Sequence, residues 1–310
     1  MQSNWPTLPA EHPLLALHAA LPSLIADAGG HSRVFGITLS PPIQPSTSEG
    51  AEALDAQPQQ PDFATLVVLQ KFLRSTQGDV EKAKESLRKT LKWRREFGLD
   101  KDGEEGEVEK DAGDARFNGL GHITKLRFED GEEKVVTWNI YGAAKNDIKG
   151  VFGDLDKFLH WRVDLMERSI KAILAPVLSG DKDAKPIPDY GKGEDPYQGY
   201  QVHDYQDVSF LRMDPAIKAA SSKTIEIMQA HYPEWLSRKF FVSVPLVMSW
   251  VFTAVRLIVS SETARKFTVV SYKTNLLPEL EGPGKKVDAQ SVPKEYGGGS
   301  GRMLAEMRVA

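Results

Sequence analysis

The chain has 310 residues, 41% of them hydrophobic, with a formal net charge of -4 and an isoelectric point near 6.0. That is enough to bury a substantial core, and it gives no basic surface of the kind nucleic acids require. There is no cysteine, which excludes disulfides, Cys-ligated zinc, iron–sulfur clusters and thiol nucleophiles and fits a reducing cytosol.

The amino-terminal MQSNWPTLPAEHP lacks the cationic segment and apolar run of a signal peptide. Residues 12–28 place Leu14, Leu17, Leu21, Leu24 and Ile25 near helical spacing, so a short amphipathic helix is expected there despite Pro22. Residues 40–61 are rich in Pro, Gln, Ser and Glu and read as a linker. From Asp62 the pattern turns strongly helical: Phe63, Leu66, Val67, Leu69, Phe72 and Leu73 form one stripe. Gly78-Asp79 stops that helix and caps a second running to about Phe97, which predicts an antiparallel hairpin. The acidic run 100–114 reads as a solvated loop.

Residues 122–128 and 134–140 alternate as strands around a turn containing Asp130-Gly131, the signature of a β-hairpin. A long helix is expected over 155–174, with Phe158, Leu159, Arg162, Leu165, Met166 and Ser169 near one face and Pro176 beyond its end. Residues 179–199, rich in Gly, Pro, Asp and Lys, read as an exposed loop. Further on come a helix over 217–232, a buried strand over 240–244, an apolar helix over 246–259 and a last strand over 267–271. Strands separated by helices imply βαβ crossovers and a mainly parallel sheet, to which the hairpin adds a mixed edge. The stretch 242–259 is interrupted by Ser243, Pro245, Ser249, Thr253 and Arg256 and makes a poor membrane span, so any membrane role would be peripheral.

Before that 217–232 helix stands the strand QVHDY, residues 201–205. Side chains alternate along a strand, which puts His203 and Tyr205 side by side on one face and Val202 and Asp204 on the other. An imidazole beside a phenol can be a metal-ligand pair, a hydrogen-bonded pair or ordinary packing.

Several segments in order resemble the CRAL-TRIO family of lipid-binding proteins, and fungal phosphatidylinositol-transfer proteins in particular. They are the hairpin LQKFLRSTQGDVEKAKESLRKTLKWRREFG, the segment HYPEWLSRKFFVSVP, the run SSETARKFTVV and the closing VPKEYGG, together spanning residues 62–298. KVVTWNIYG, DKFLHWRVDLME and QVHDY look closest to the fungal branch whose members bind haem where relatives hold phospholipid. The resemblance implies an α/β fold: an amino-terminal helical lobe and a CRAL-TRIO domain with a mixed, mainly parallel sheet and a mobile lid helix at 246–258. It also implies an amino-terminal helix and linker at 1–61, a hairpin lobe at 62–112, the ligand-binding domain at 113–300 and a tail at 301–310. Opening an apolar lid in water is costly, and membrane contact offsets that cost.

In the haem-binding branch a tyrosine supplies the axial oxygen to ferric iron. By resemblance Tyr205 is the axial and metal ligand, His203 its neighbour, and Arg162 and Lys239 the partners of the propionates of non-covalent haem b. An arginine grips a carboxylate with two parallel hydrogen bonds. The phosphatidylinositol headgroup site of the family maps instead onto Glu234, Lys266 and Thr263, with Arg265 beside Lys266. The family's hairpin arginine falls on Thr76, a departure that weakens the phosphate grip.

There is no His-Glu-x-x-His, no phosphate-cradling glycine loop and no Gly-x-Ser-x-Gly elbow, so an enzyme is not expected. The expectation is a cytoplasmic protein, peripherally associated with endoplasmic-reticulum or microsomal membranes, that carries haem and phosphatidylinositol and does not bind nucleic acid. Phosphatidylinositol transfer without haem is the alternative, and a haem peroxidase the outsider.

Overall fold

The computed structural model describes residues 5–42, 61–99, 107–208, 214–245 and 264–307. Two compact units account for the chain: one comprises residues 1–106, 174–197 and 226–234, the other 107–173, 198–225 and 235–310. The expected boundary near 112 therefore separates only part of the chain, because two later segments group with the amino-terminal hairpin.

In the first unit, the expected 12–28 helix is two short helices, α1 (Pro13–Ala19) and α2 (Leu21–Asp27), divided at Ala20 with Pro22 in the first turn of α2. Proline suits a first turn, where its missing N–H has no intrahelical partner. A tiny hairpin follows, β1 (Arg33–Val34) and β2 (Ile37–Thr38), which the sequence pattern did not announce. Helices α3 (Phe63–Ser75) and α4 (Val80–Phe97) form at the expected places. Asp62 caps α3 by accepting from the Thr65 N–H at 2.9 Å, Asp79 caps α4, and Gly98 closes α4 in the left-handed conformation. Leu14, Leu17, Leu21, Val68, Leu87 and Leu91 are fully buried, so the amino-terminal helices belong to the core of this unit.

The segment 179–199 is not the free loop its composition suggested. Arg74 donates to the carbonyls of Pro188, at 2.6 Å, and of Asp189 and Gly193, while Gln70 reaches Asp189. Ile187, Asp195 and Tyr197 are buried. Backbone carbonyls satisfied by an arginine fork can lie against protein as readily as those of a strand.

The second unit begins with α5 (Glu107–Ala112), a correction to the loop expected over 100–114; residues 100–106 lie outside those described. Asp111 there meets His160 Nδ1 at 2.6 Å on α7. The unit holds a five-stranded sheet in the order β3 (Gly121–Arg127), β4 (Glu133–Ile140), β5 (Gly199–Asp204), β6 (Leu236–Val242), β7 (Phe267–Val270). The first pair is antiparallel and the other three are parallel. In sequence, α6 (Ile148–Phe152) and α7 (Leu155–Ile173) follow β4, α8 (Ala175–Leu178) belongs to the first unit, and α9 (Pro215–His231) precedes β6, with its residues from 226 onward in the first unit.

One face of this sheet is dry. Val136, Trp138, Val202, Phe240 and Val242 form its core with carboxy-terminal residues that include Leu276, from α10 (Leu276–Leu280), and Tyr296. The other face is polar at its centre, carrying Thr137, Asn139, Gln201, His203 and Lys239. Helix α7 packs on it, with the Thr137 and Ser169 hydroxyls 2.5 Å apart. Among the described residues no helix is long and apolar enough to cross a membrane. The expected lid, 246–258, lies outside the described residues.

Candidate functional site

The polar sheet face is built by register. In the parallel pairing of β4 with β5, Asn139 lies opposite His203 and Ile140 opposite Asp204, which carries Tyr141 to the level of Tyr205 just past the strand ends. Gly142 makes that approach possible, because a Cβ there would stand 2.0 Å from the carbonyl oxygen of Gln206. As a result the Tyr141 and Tyr205 rings lie 5.2 Å apart, and the Tyr141 hydroxyl meets His203 Nδ1 at 3.0 Å. His203 Nε2 faces Gln201 Oε1 at 3.4 Å. An amide oxygen only accepts, so Nε2 carries the proton and Nδ1 accepts from Tyr141.

His203 and Tyr205 therefore share a face, as period-two alternation requires, and Phe241 lies against both, its ring 5.8 Å from His203 and 6.4 Å from Tyr205. Phe267 closes the floor edge-on to Phe241 at 5.2 Å. Lys239 Nζ rides over these two rings at 5.5 and 5.9 Å. Arg162, projecting inward from α7, is 2% exposed.

The electrostatics follow from burial. His203 is held well below the ordinary imidazole range, first by burial and then by the charges of Lys239 and Arg162, so it is neutral. Burial lifts Tyr141, an effect that the charge and hydrogen bond of Arg162 partly offset. Burial, with a smaller contribution from Tyr141, lifts Tyr205 well above an ordinary phenol. Lys239 is brought down to about 7 by burial and by the neighbouring Arg162. The set comprises two protonated phenols, one neutral imidazole, the Arg162 guanidinium and a Lys239 amine that is about half-charged near neutrality, on an aromatic floor.

Tyr205, His203, Arg162 and Lys239 thus come together in one place, and Tyr141, to which the sequence assigned no role, stands at its centre. The residues of the headgroup alternative are placed differently. Lys266 donates from Nζ to the Leu236 carbonyl at 2.8 Å, and its own carbonyl accepts the Lys239 N–H at 2.8 Å, so it ties β6 to the segment before β7. Arg265 beside it is exposed. Glu234 takes a left-handed backbone, φ 59°, and its carbonyl accepts from Lys71 Nζ at 2.9 Å in the first unit. Thr263 lies outside the described residues. The Thr76 hydroxyl is engaged with the carbonyls of Phe72, Leu73 and Asp79 at the end of α3.

On the dry side of the sheet a cleft of about 440 Å³ is lined by Ile140, Asp204, Lys273, Glu295, Tyr296 and Leu304. It contains the Asp204–Tyr296 hydrogen bond and none of the residues of the phenol–imidazole cluster.

The donor chemistry on the polar face fits haem. A phenol oxygen is a hard ligand suited to ferric iron, the aromatic floor suits a flat macrocycle, and the Arg162 guanidinium, with Lys239 when protonated, suits its carboxylates. Among the described residues no group of three or more His, Asp or Glu side chains could hold a bare metal ion.

Comparison with known proteins gives a consistent frame. The CRAL/TRIO domain family matches residues 195–298. The chain is 48% identical over 307 residues to "Phosphatidylinositol transfer protein SFH5" of Cryptococcus neoformans, covering 99% of this chain and 93% of that one. It is 45% identical over 300 residues to the protein of the same name from Phaeosphaeria nodorum, covering 95% and 78%. A crystal structure of Sfh5 superposes with a TM-score of 0.69 at 25% identity, covering 96% of this chain and 90% of the other. With that identity sustained from end to end, the chain belongs to the SFH5 family of CRAL/TRIO-domain proteins.

Proposed function

We propose that this chain binds phosphatidylinositol and transfers it between membranes, acting as a carrier rather than an enzyme, in the cytoplasm and at the surface of endoplasmic-reticulum membranes. The observation that carries this reading is the near full-length identity to proteins named phosphatidylinositol transfer proteins. The test is exchange of labelled phosphatidylinositol between two vesicle populations. Transfer above the spontaneous rate is expected; none at any protein concentration would overturn the reading. With Thr76 at the position of the family arginine, and its hydroxyl engaged in closing α3, the headgroup grip is expected to be weaker than in relatives that keep the arginine.

A second ligand is favoured by a specific observation, the phenol–imidazole cluster beside two cations. We propose ferric haem b there, with Tyr205 as axial and metal ligand, His203 and Tyr141 beside it, and Arg162 and Lys239 toward the propionates. Haem would supply a ferric centre that a phenolate holds in the oxidised state. On the chain's side, Tyr205 would hold the group through its phenol oxygen, Tyr141 and Gln201 would orient a His203 kept neutral by burial, and Phe241 and Phe267 would exclude water. The absorption spectrum of wild type beside Tyr205→Phe tests this. A Soret band with a tyrosinate charge-transfer feature that disappears in the variant is expected. A colourless wild type that also refuses added haemin overturns the haem reading and leaves lipid transfer standing. Peroxide turnover no greater than that of free haemin is expected; clear excess would promote the peroxidase reading.

A further inference from the structure

The geometry points to Lys239 as a carbonyl-capturing lysine: its amine, set against Phe241 and Phe267 and beside Arg162, forms a reversible Schiff base with long-chain aliphatic aldehydes that enter the aromatic face. This rests on the reading that the face is a ligand site for apolar molecules.

Three observations carry it. The first concerns partners. A half-buried lysine normally ends on a carboxylate, yet among the described residues Lys239 Nζ has no carboxylate and no hydrogen-bond acceptor. Its neighbours are two aromatic rings and the guanidinium of Arg162. Lys71, which is fully buried, shows the contrast: it meets Asp195 at 2.8 Å and two backbone carbonyls.

The second is protonation. An amine that is desolvated next to another cation is the arrangement that activates lysines toward carbonyls. Burial and Arg162 bring Lys239 down to about 7, whereas exposed lysines titrate near ~10.4. Near neutrality its unprotonated fraction is on the order of a thousandfold larger than theirs.

The third is shape. Phe241 and Val244, with Tyr205 and Phe267 packed against them, make one apolar cluster, and Lys239 Nζ stands over its Phe241 and Phe267 rings, so a hydrocarbon chain laid along the cluster would leave its carbonyl end at Nζ. That selects an apolar aldehyde over a sugar or a keto acid, whose hydroxyls or charge would be desolvated there without partners.

The step balances without an oxidant or reductant. The Nζ lone pair adds to the carbonyl carbon, and the C=O pair moves to oxygen, which takes up a proton. The carbinolamine then loses that oxygen as water while the C=N bond forms and the nitrogen gives up its protons. The product is the imine plus one water. Cyanoborohydride, added as a hydride donor, would fix it as a secondary amine.

The test uses the full chain, incubated near neutral pH with dodecanal presented in phosphatidylcholine vesicles, then treated with cyanoborohydride. Intact mass and peptide mapping follow. The expected result is addition of one dodecyl group, mapped to Lys239 at least about tenfold above exposed lysines such as Lys182 and Lys192. In Lys239→Arg, which keeps the charge and stem, labelling falls to the surface background. Equal labelling of all lysines, or an unchanged single adduct in Lys239→Arg, overturns the proposal. Mapping the wild type alone decides between these results if the variant does not fold. Phosphatidylinositol extraction and haemin uptake are measured on the same sample. Uptake of either without the Lys239 adduct overturns the aldehyde proposal alone; no adduct and no uptake overturns the ligand-site reading with it.

Discussion

The Tyr141 hydroxyl donates to His203 Nδ1 at 3.0 Å across the parallel pairing of β4 with β5, between residues 62 positions apart in sequence. This contact fixes the tautomer of His203, whose neutrality comes from burial and from the charges of Lys239 and Arg162. Tyr141→Phe keeps the ring packing against Tyr205 but leaves a buried imidazole nitrogen without its donor. The expected loss is about 1–3 kcal/mol of unfolding free energy. Urea titration measures it, and a midpoint equal to that of wild type would remove Tyr141 from its orienting role.

Lys239 makes stability depend on pH in a definite direction. Its amine titrates at about 7 in the folded protein against 10.5 for the ordinary side chain, so between these values the unfolded chain binds more protons than the folded one. Stability therefore rises with pH across that window and is lowest below about 7. Lys71, at about 8, adds a second rise that begins higher. The expected outcome is that Lys239→Met flattens the part between about 7 and 8 and roughly halves the slope from about 8 to 10.5, where Lys71 alone then contributes. Urea midpoints measured from neutral to alkaline pH decide it; an unchanged profile would mean that solvent reaches the amine.

Acid works on the neighbouring imidazole in the opposite sense to an ordinary salt-bridged histidine. His203 has a folded-state pKa well below 6.5, so as pH falls through 6.5 the unfolded chain gains a proton that the folded chain refuses. Stability is therefore lost on acidification starting near 6.5. His203→Gln, which retains a hydrogen-bonding side chain, is expected to lose less stability between neutral pH and about pH 5 than wild type does. A chemical-denaturation series over that range tests the prediction.

The parts of this site that were legible in the sequence are those that local periodicity writes. Alternation along QVHDY put His203 and Tyr205 on one face, and the helical stripe of 155–174 put Arg162 with Phe158, Met166 and Ser169 on the buried side. Tyr141 was not legible, because it sits in the short turn Tyr141–Ala144 after β4 and reaches Tyr205 only through the register of a parallel pair. Parallel register is set by tertiary packing and leaves no short-range pattern. The segment 179–199 misled for a related reason. Its Gly, Pro and Asp content describes how the backbone turns, whereas its burial depends on Arg74 and Gln70, more than a hundred residues away.

The pair Lys71–Asp195 is buried in the first unit. Both side chains are wholly inaccessible, at 2.8 Å, and Lys71 also donates to the carbonyls of Tyr197 and Glu234. That second carbonyl belongs to a residue in a left-handed backbone, so the lysine also holds the Tyr-Pro-Glu turn in shape. Lys71→Met strands the Asp195 charge and is expected to cost about 3–5 kcal/mol. The double variant Lys71→Met with Asp195→Leu removes both charges and should recover part of that loss. Thermal unfolding of the three variants measures it; a double variant less stable than Lys71→Met would show that the pair is held for its hydrogen bonds more than for its charges.

On the far side of β5 from His203, the Tyr296 hydroxyl donates to Asp204 Oδ2 at 2.8 Å, while Asp204 Oδ1 accepts the Gln206 N–H at 2.9 Å. Asp204 is 2% exposed, and the carboxylate pushes the Tyr296 phenol far up on top of the effect of burial. The carboxyl group therefore sits at the end of the strand that presents His203 and Tyr205, clamped from the carboxy-terminal segment. Tyr296→Phe keeps the ring that packs on Trp138 at 4.6 Å and removes only the donor. Because the acceptor is charged and buried, the loss is expected to be about 1.5–3 kcal/mol, more than for Tyr141→Phe if both bonds are otherwise equal. Asp204→Asn lowers the charge while keeping an acceptor and should cost less. If Tyr296→Phe stays within about 0.5 kcal/mol of wild type in urea, the clamp contributes nothing and the strand end is held by its ladder alone. If stability falls as expected and haemin or lipid uptake falls with it, the closing segment sets the position of Tyr205 from behind the sheet.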